Sequence, residues 1–83
     1  MASYYTDIRS DDGKKCFITS GPYGTLDAAQ ANEHKARNVA VKLAEAENNF
    51  EITWYSFGSC KAEQIKTTPL MKIINNELGI EVN

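Results

Sequence analysis

One histidine and two cysteines are the side chains of this chain that most often bind metals or act as nucleophiles. Cys16 and Cys60 lie far apart and lack the CxxC spacing of zinc and redox motifs. On a helix, the neighbours of His34 four residues away would be Gln30 and Asn38, and neither forms a zinc pair with it. The strand pattern described below places Cys16 on the helix-facing side of a sheet and Cys60 on its other side. We therefore expect no metal site and no Cys–His nucleophile pair. Free thiols are the simplest state of the two cysteines in a reducing compartment, and a Cys16–Cys60 bridge is the alternative.

The stretch SGPYGTLD, residues 20–27, is a second candidate for chemistry, because glycine-containing loops before helices can cradle phosphates. This loop has no lysine of the kind that a P-loop needs, and Pro22 removes one amide donor. The G-x-G-x-x-G pattern of a Rossmann loop is also absent. We therefore expect a strand-to-helix turn in which the two glycines adopt unusual backbone angles and Thr25 or Asp27 caps the helix.

Three carboxylates, those of Asp7, Asp11 and Asp12, are concentrated around the first predicted hairpin. They could hold a divalent ion loosely, but a polar turn explains them better. With one surface histidine there is no credible Ser-His-Asp triad, and a two-layer domain of this size rarely has the deep cleft that paired catalytic carboxylates need. We therefore predict that the chain is not an enzyme and that it has no catalytic residues, metal ligands or cofactor.

The composition is that of an ordinary globular domain. The 83 residues are 42% hydrophobic and 24% charged, which suits a single domain spanning residues 1–83. The net charge of −2 lacks the basic excess that sequence-independent nucleic-acid binding requires. No apolar stretch approaches the ~20 residues of a membrane span, and no basic segment followed by an apolar one marks a secretory signal. We therefore predict a cytoplasmic protein.

Alternating side chains in residues 3–9, followed by a second apolar run, predict a β-hairpin. The connecting SDDGK predicts a three-residue loop with Gly13 in the left-handed region. This loop places Ile8 opposite Cys16, so that the aliphatic residues share one face. A two-residue loop would place Ile8 opposite Phe17 and divide the aliphatic residues between faces, and we therefore favour the first register.

Two helices are predicted further along the chain. Residues 26–48 are rich in alanine and contain neither glycine nor proline, so their helix propensity is high. A shorter helix is predicted to begin after Thr68 as its N-cap, with Pro69 in its first position, and to end at Gly79.

A second hairpin is predicted between these helices. Residues 50–57 alternate as a strand does, Gly58 and Ser59 suit a two-residue turn, and residues 60–67 return as a fourth strand. This register pairs Glu51 with Lys66 across the strands. The last four residues either add a short fifth strand or fray.

These elements follow the order ββαββα and predict an α+β fold. The simplest packing is a two-layer sandwich, in which a four-stranded antiparallel sheet carries two helices on one face. The expected core consists of Tyr4, Ile8, Cys16, Ile18, Leu26, Ala36, Ala40, Leu43, Ile52, Trp54, Ile65, Leu70, Ile74 and Leu78.

The sheet face away from the helices is predicted to be rich in aromatic residues, and large exposed patches of this kind mark interaction surfaces. We predict that this face binds a partner, and that Tyr23, at an exposed corner, extends the surface. The alternative is a structural face that the tail or a misassigned strand covers. The predicted partner-binding residues are Tyr5, Phe17, Tyr23, Tyr55 and Phe57.

The predicted function is that of a small non-catalytic protein-binding domain. It would regulate or inhibit a larger protein by occupying its surface, or bind a second copy of itself, with no role for a membrane. Phage-encoded inhibitors of host defence act by such occlusion, an analogy that rests on small size and absent catalytic groups alone. The alternative is that single-stranded nucleic acid stacks on the aromatic face, which the net negative charge disfavours. The polar side of the first helix, around His34 and Lys42, is a second candidate surface.

Overall fold

A computed structural model describes residues 3–63 and 65–80 of the chain. The described residues form an α+β fold with one three-stranded antiparallel sheet, in the order β2-β1-β3, and two helices. The predicted α+β class is confirmed, but the described residues form three strands rather than four. The elements are β1 (Ser3–Arg9), β2 (Cys16–Tyr23), α1 (Leu26–Ala46), a 3-10 helix (Phe50–Trp54), β3 (Ser56–Ala62) and α2 (Pro69–Leu78).

The first hairpin has a different register from the predicted one. The Ser10 N–H donates to the Lys15 carbonyl at 2.9 Å, so that residues 11–14 form the loop. Asp12 accepts hydrogen bonds from the Ser10 hydroxyl and the Lys14 N–H, and these bonds stabilise the wider turn. Gly13 has a φ of +71°, as predicted. The change places Ile8 opposite Phe17 instead of Cys16, and the predicted three-residue loop is wrong.

The predicted strand over residues 50–57 is also wrong in its first part, because Phe50–Trp54 is a 3-10 helix. The Thr53 hydroxyl donates to the Phe50 carbonyl at 2.7 Å, and the Tyr55 N–H donates to the Ile52 carbonyl at 3.1 Å. Local bonds of this kind compete with strand pairing, and here they determine the backbone conformation.

Strand β3 passes without a turn through Gly58 and Ser59, where a hairpin was predicted. All seven of its residues pair with β1, which therefore lies at the centre of the sheet. The predicted fourth strand over residues 60–67 is wrong, since residues 60–62 complete β3 and residues 63 and 65–68 lie in no strand. The predicted fifth strand falls mostly on residues 81–83, outside the described residues.

Both predicted helices are present, and α1 ends at Ala46 rather than at the predicted residue 48. The Thr25 hydroxyl caps α1 by accepting the Ala28 N–H at 3.2 Å. The Thr68 hydroxyl caps α2 in the same way, and α2 ends at Gly79, which adopts a φ of +71°. These ends are defined by local chemistry, which is why the sequence pattern locates them well. No helix among the described residues is both long and apolar enough to cross a membrane.

Small residues of α1 pack against β1 and α2 in the core. Ile8, Ala36, Ala40, Tyr55 and Ile74 form the central cluster, so both helices contribute to it. The expected core is wrong for three residues, because Cys16, Leu26 and Trp54 are exposed. The side chains that pack against the cluster are those of Val39, Leu43, Ile52, Leu70 and Leu78.

Helix α2 is attached to the outer edge of β2 by the side chain of Asn75. Its Oδ1 accepts the Gly21 N–H at 3.0 Å, and its Nδ2 donates to the Gly21 carbonyl at 2.8 Å. Both residues are buried. The amide group thus pairs with the strand edge as a neighbouring strand would, and it fixes the position of α2 relative to the sheet.

Candidate functional site: an apolar groove between the helices and the sheet

Tyr5 and Tyr23 do not lie on an exposed surface, contrary to the prediction. Tyr5 is only 1% exposed, and its hydroxyl accepts the N–H of Ile65 at 3.1 Å. Tyr23 is buried, and its hydroxyl bonds to the Ser20 hydroxyl at 2.7 Å. Burial raises the pKa of the Tyr23 phenol. Neither ring is accessible to a partner in this fold.

Tyr55 and Phe17 lie together, but on the helix-facing side of the sheet. Their rings stack with centroids 6.3 Å apart. Tyr55 is buried, and its hydroxyl donates to Glu51 Oε1 at 3.4 Å, whereas Phe17 remains 43% exposed. The corrected hairpin register explains this placement, since Phe17 lies opposite Ile8 and therefore shares its face.

Phe57 lies in β3, which pairs with the opposite edge of β1 from β2, and it is also the partner of Ile8. It therefore lies on the same face of the sheet as Ile8 and faces α1. Its ring and the His34 ring pack edge to face, with centroids 5.6 Å apart. His34 is exposed and bonds to Asn38. The structure thus brings Phe17 and Tyr55 together and separates Phe57 from them, so the predicted four-residue aromatic face does not form.

An apolar groove with a volume of about 480 Å³ lies beside these residues. Tyr55 and Phe17 contribute the sheet side of the groove, and α1, the 3-10 helix and the first half of α2 contribute the remaining walls. Ile73 lines the groove and has 47% of its surface exposed. Apart from Phe17 and Tyr55, the apolar lining residues are Ala40, Leu43, Ala44, Ile52, Pro69, Leu70 and Ile73.

The polar residues that line the groove are Lys15, Glu47, Asn49 and Glu51. Lys15 Nζ lies 3.5 Å from Glu51 Oε1, and the charge of Glu51 raises the pKa of Lys15. In the part of the chain that the structure describes, the one cation that lines the groove is therefore already paired with an anion. The predicted cross-strand pair between Glu51 and Lys66 does not form, because Glu51 lies in the 3-10 helix.

The two cysteines lie on the sheet side opposite to this groove. Cys16 lies opposite Arg9, and Cys60 lies opposite Tyr5. Because Arg9 and Tyr5 are each two residues from Asp7 in β1, both cysteines lie on the same side of the sheet as Asp7. The predicted inward orientation of Cys16 is therefore wrong. Both are free, and burial together with a hydrogen bond to Asp7 raises the pKa of Cys60 to about 11. The Cys60 thiol is therefore protonated near neutral pH and is a weak nucleophile.

Asp7 is 1% exposed, and the Arg9 guanidinium neutralises it through two contacts at 3.2 and 3.0 Å. This bidentate pair raises the pKa of Arg9. Among residues 3–63 and 65–80, no group of three metal-ligating side chains comes together. The geometry on this side of the sheet supports a structural ion pair.

Two strongly exposed aromatic residues were missed as surface candidates. Phe50 is 58% and Trp54 77% exposed, because the 3-10 helix directs them outward while Ile52 faces the groove. Asn48, whose φ is +59°, precedes them. The Asn48-Asn49 pair is the sequence signal for a break before residue 50, since asparagine tolerates the left-handed region better than most residues.

Comparison of the chain with models of known families, with curated proteins and with solved structures finds no match.

Proposed function

We propose that this chain is a small non-catalytic protein-binding domain whose apolar groove holds a segment of a larger protein. The observation that carries the proposal is the groove itself, which is lined mainly by apolar side chains and leaves Phe17 and Ile73 nearly half exposed. Exposed apolar surface next to a concavity is typical of protein-interaction sites. By occupying its partner, the domain would regulate or inhibit it.

The distribution of polar groups favours a peptide segment over a small metabolite. Small-molecule sites usually place a few polar groups so that they fix the ligand's orientation. Here the lining is mainly aliphatic and aromatic, and two of the charged residues that line it, Lys15 and Glu51, neutralise each other. Apolar side chains spaced along a helix or an extended segment match such a groove.

The exposed aromatic residues of the 3-10 helix support the same proposal. Trp54 and Phe50 lie in the element that also contributes Ile52 to the groove. Tryptophan is enriched among the residues that contribute most to protein–protein affinity. A partner longer than the groove could therefore extend onto this helix.

A random dodecapeptide library displayed on yeast tests the proposal. Selection on the purified protein should enrich peptides that share an apolar anchor. A synthetic copy of the strongest peptide, titrated into the ¹⁵N-labelled protein, should shift the amide signals of residues around Phe17, Leu43 and Ile73 most. Selection that enriches no peptide, or amide shifts concentrated near Leu26 at the start of α1, would contradict the proposal.

A further inference from the structure

We propose that the segment held in the apolar groove carries a lysine or arginine next to its apolar anchor, and that Glu47 receives this charge. This inference rests on the proposed function, because it concerns the partner of the same groove. Its basis is the uneven distribution of charge around the groove.

The negative side of the groove lies at the C-terminal end of α1. Glu47 is the C-cap residue of that helix and also lines the groove. The last turn of α1 contains no basic residue, although a helix C-terminus carries a partial negative charge that a cation would stabilise. The helix end and the Glu47 carboxylate therefore produce negative potential at the same place.

The described residues offer no free cation at the groove that would neutralise this potential. Among the described residues, Lys15 is the only cation that lines the groove, and it is paired with Glu51. Within the described part of the chain, the Glu47 side chain makes no hydrogen bond or ion pair, and it is exposed. An acidic segment would meet repulsion here, whereas a basic residue would meet two favourable charges. Charge complementarity of this kind selects among partners that share the same apolar anchor.

Glu47→Lys is the most informative substitution for testing the inference. It reverses the charge that lines the groove, and because it places a cation at a helix C-terminus it should leave α1 at least as stable. Weaker binding by this variant therefore cannot be attributed to unfolding. Glu77→Lys is the matched control, since Glu77 is exposed near the end of α2 and does not line the groove.

The probe is the random dodecapeptide library, selected in parallel on the original protein, on Glu47→Lys and on Glu77→Lys. We expect apolar anchors on all three proteins, with Lys and Arg enriched beside the anchor on the original protein and on Glu77→Lys only. A synthetic basic peptide should bind Glu47→Lys about five-fold more weakly at low salt, and the difference should shrink in 1 M salt, where the screening length falls to about 3 Å.

Each outcome separates the inference from the proposed function. Apolar anchors without basic enrichment, or basic enrichment that persists on Glu47→Lys, would overturn the inference and leave the proposed function standing. A selection that enriches no peptide on any of the three proteins would overturn both.

Discussion

At Gly21 the backbone of β2 approaches β1 so closely that a side chain has no room. A Cβ at this position would lie 2.7 Å from Tyr5 Cδ2 and 3.0 Å from the Tyr4 carbonyl oxygen, and the residue has a φ of +126°. The same residue offers its N–H and carbonyl to Asn75. The loop that looked like a phosphate cradle in the sequence is thus a packing site, and its glycine is needed for close approach.

Substitution of Gly21 by alanine tests this role. We expect Gly21→Ala to lower the free energy of unfolding by about 2–4 kcal/mol, because the new methyl group meets both the Tyr5 ring and unfavourable backbone angles. Gly24→Ala is the control, since a Cβ there meets nothing within 4 Å, and it should change stability by no more than about 0.5 kcal/mol. Urea denaturation measures both, and equal effects would show that space at Gly21 is not limiting.

At the scale of the elements, the helices were predictable and the second half of the sheet was not. The helix ends depend on residues close in sequence, namely the caps Thr25 and Thr68 and the terminating Gly79. The sequence therefore predicts these ends directly. The alternation in residues 50–57 looks like a strand, but the Thr53 hydroxyl and its neighbours stabilise a 3-10 helix there. Alternation alone does not reveal which backbone bonds a short segment will prefer.

The attachment of α2 to β2 through Asn75 could not be read from the sequence, because a single asparagine in a helix has no pattern. We expect Asn75→Ala to destabilise the protein by about 2–4 kcal/mol, since it removes two hydrogen bonds and leaves the Gly21 N–H and carbonyl buried without a partner. Asn76→Ala, at an exposed neighbouring position, should stay within about 0.5 kcal/mol. Chemical denaturation of both variants decides the matter, and a similar small effect for the two would contradict the proposed attachment.

At the scale of the whole molecule, a one-residue difference in hairpin register changes which surface is available. The four-residue loop after Ser10 moves Phe17 to the helix-facing side. Tyr5 is buried, and the aromatic face expected from the sequence is replaced by a groove to which Phe17 and Tyr55 contribute. Protein binding without catalysis, the function predicted from the sequence, remains a proposal. The proposed binding surface is now the apolar groove instead of the aromatic sheet face.

The central claim is that this groove is the surface on which a partner segment binds, and Ile73→Lys tests it most directly. Ile73 lines the groove at 47% exposure, whereas Leu26, at 42% exposure, lies outside it. Isothermal titration calorimetry with the selected apolar peptide should show affinity lowered by at least about ten-fold, or 1.4 kcal/mol, for Ile73→Lys. The affinity of Leu26→Lys should remain within about two-fold of the original protein, because its charge is added away from the groove. Equal affinities of the two variants would contradict the account.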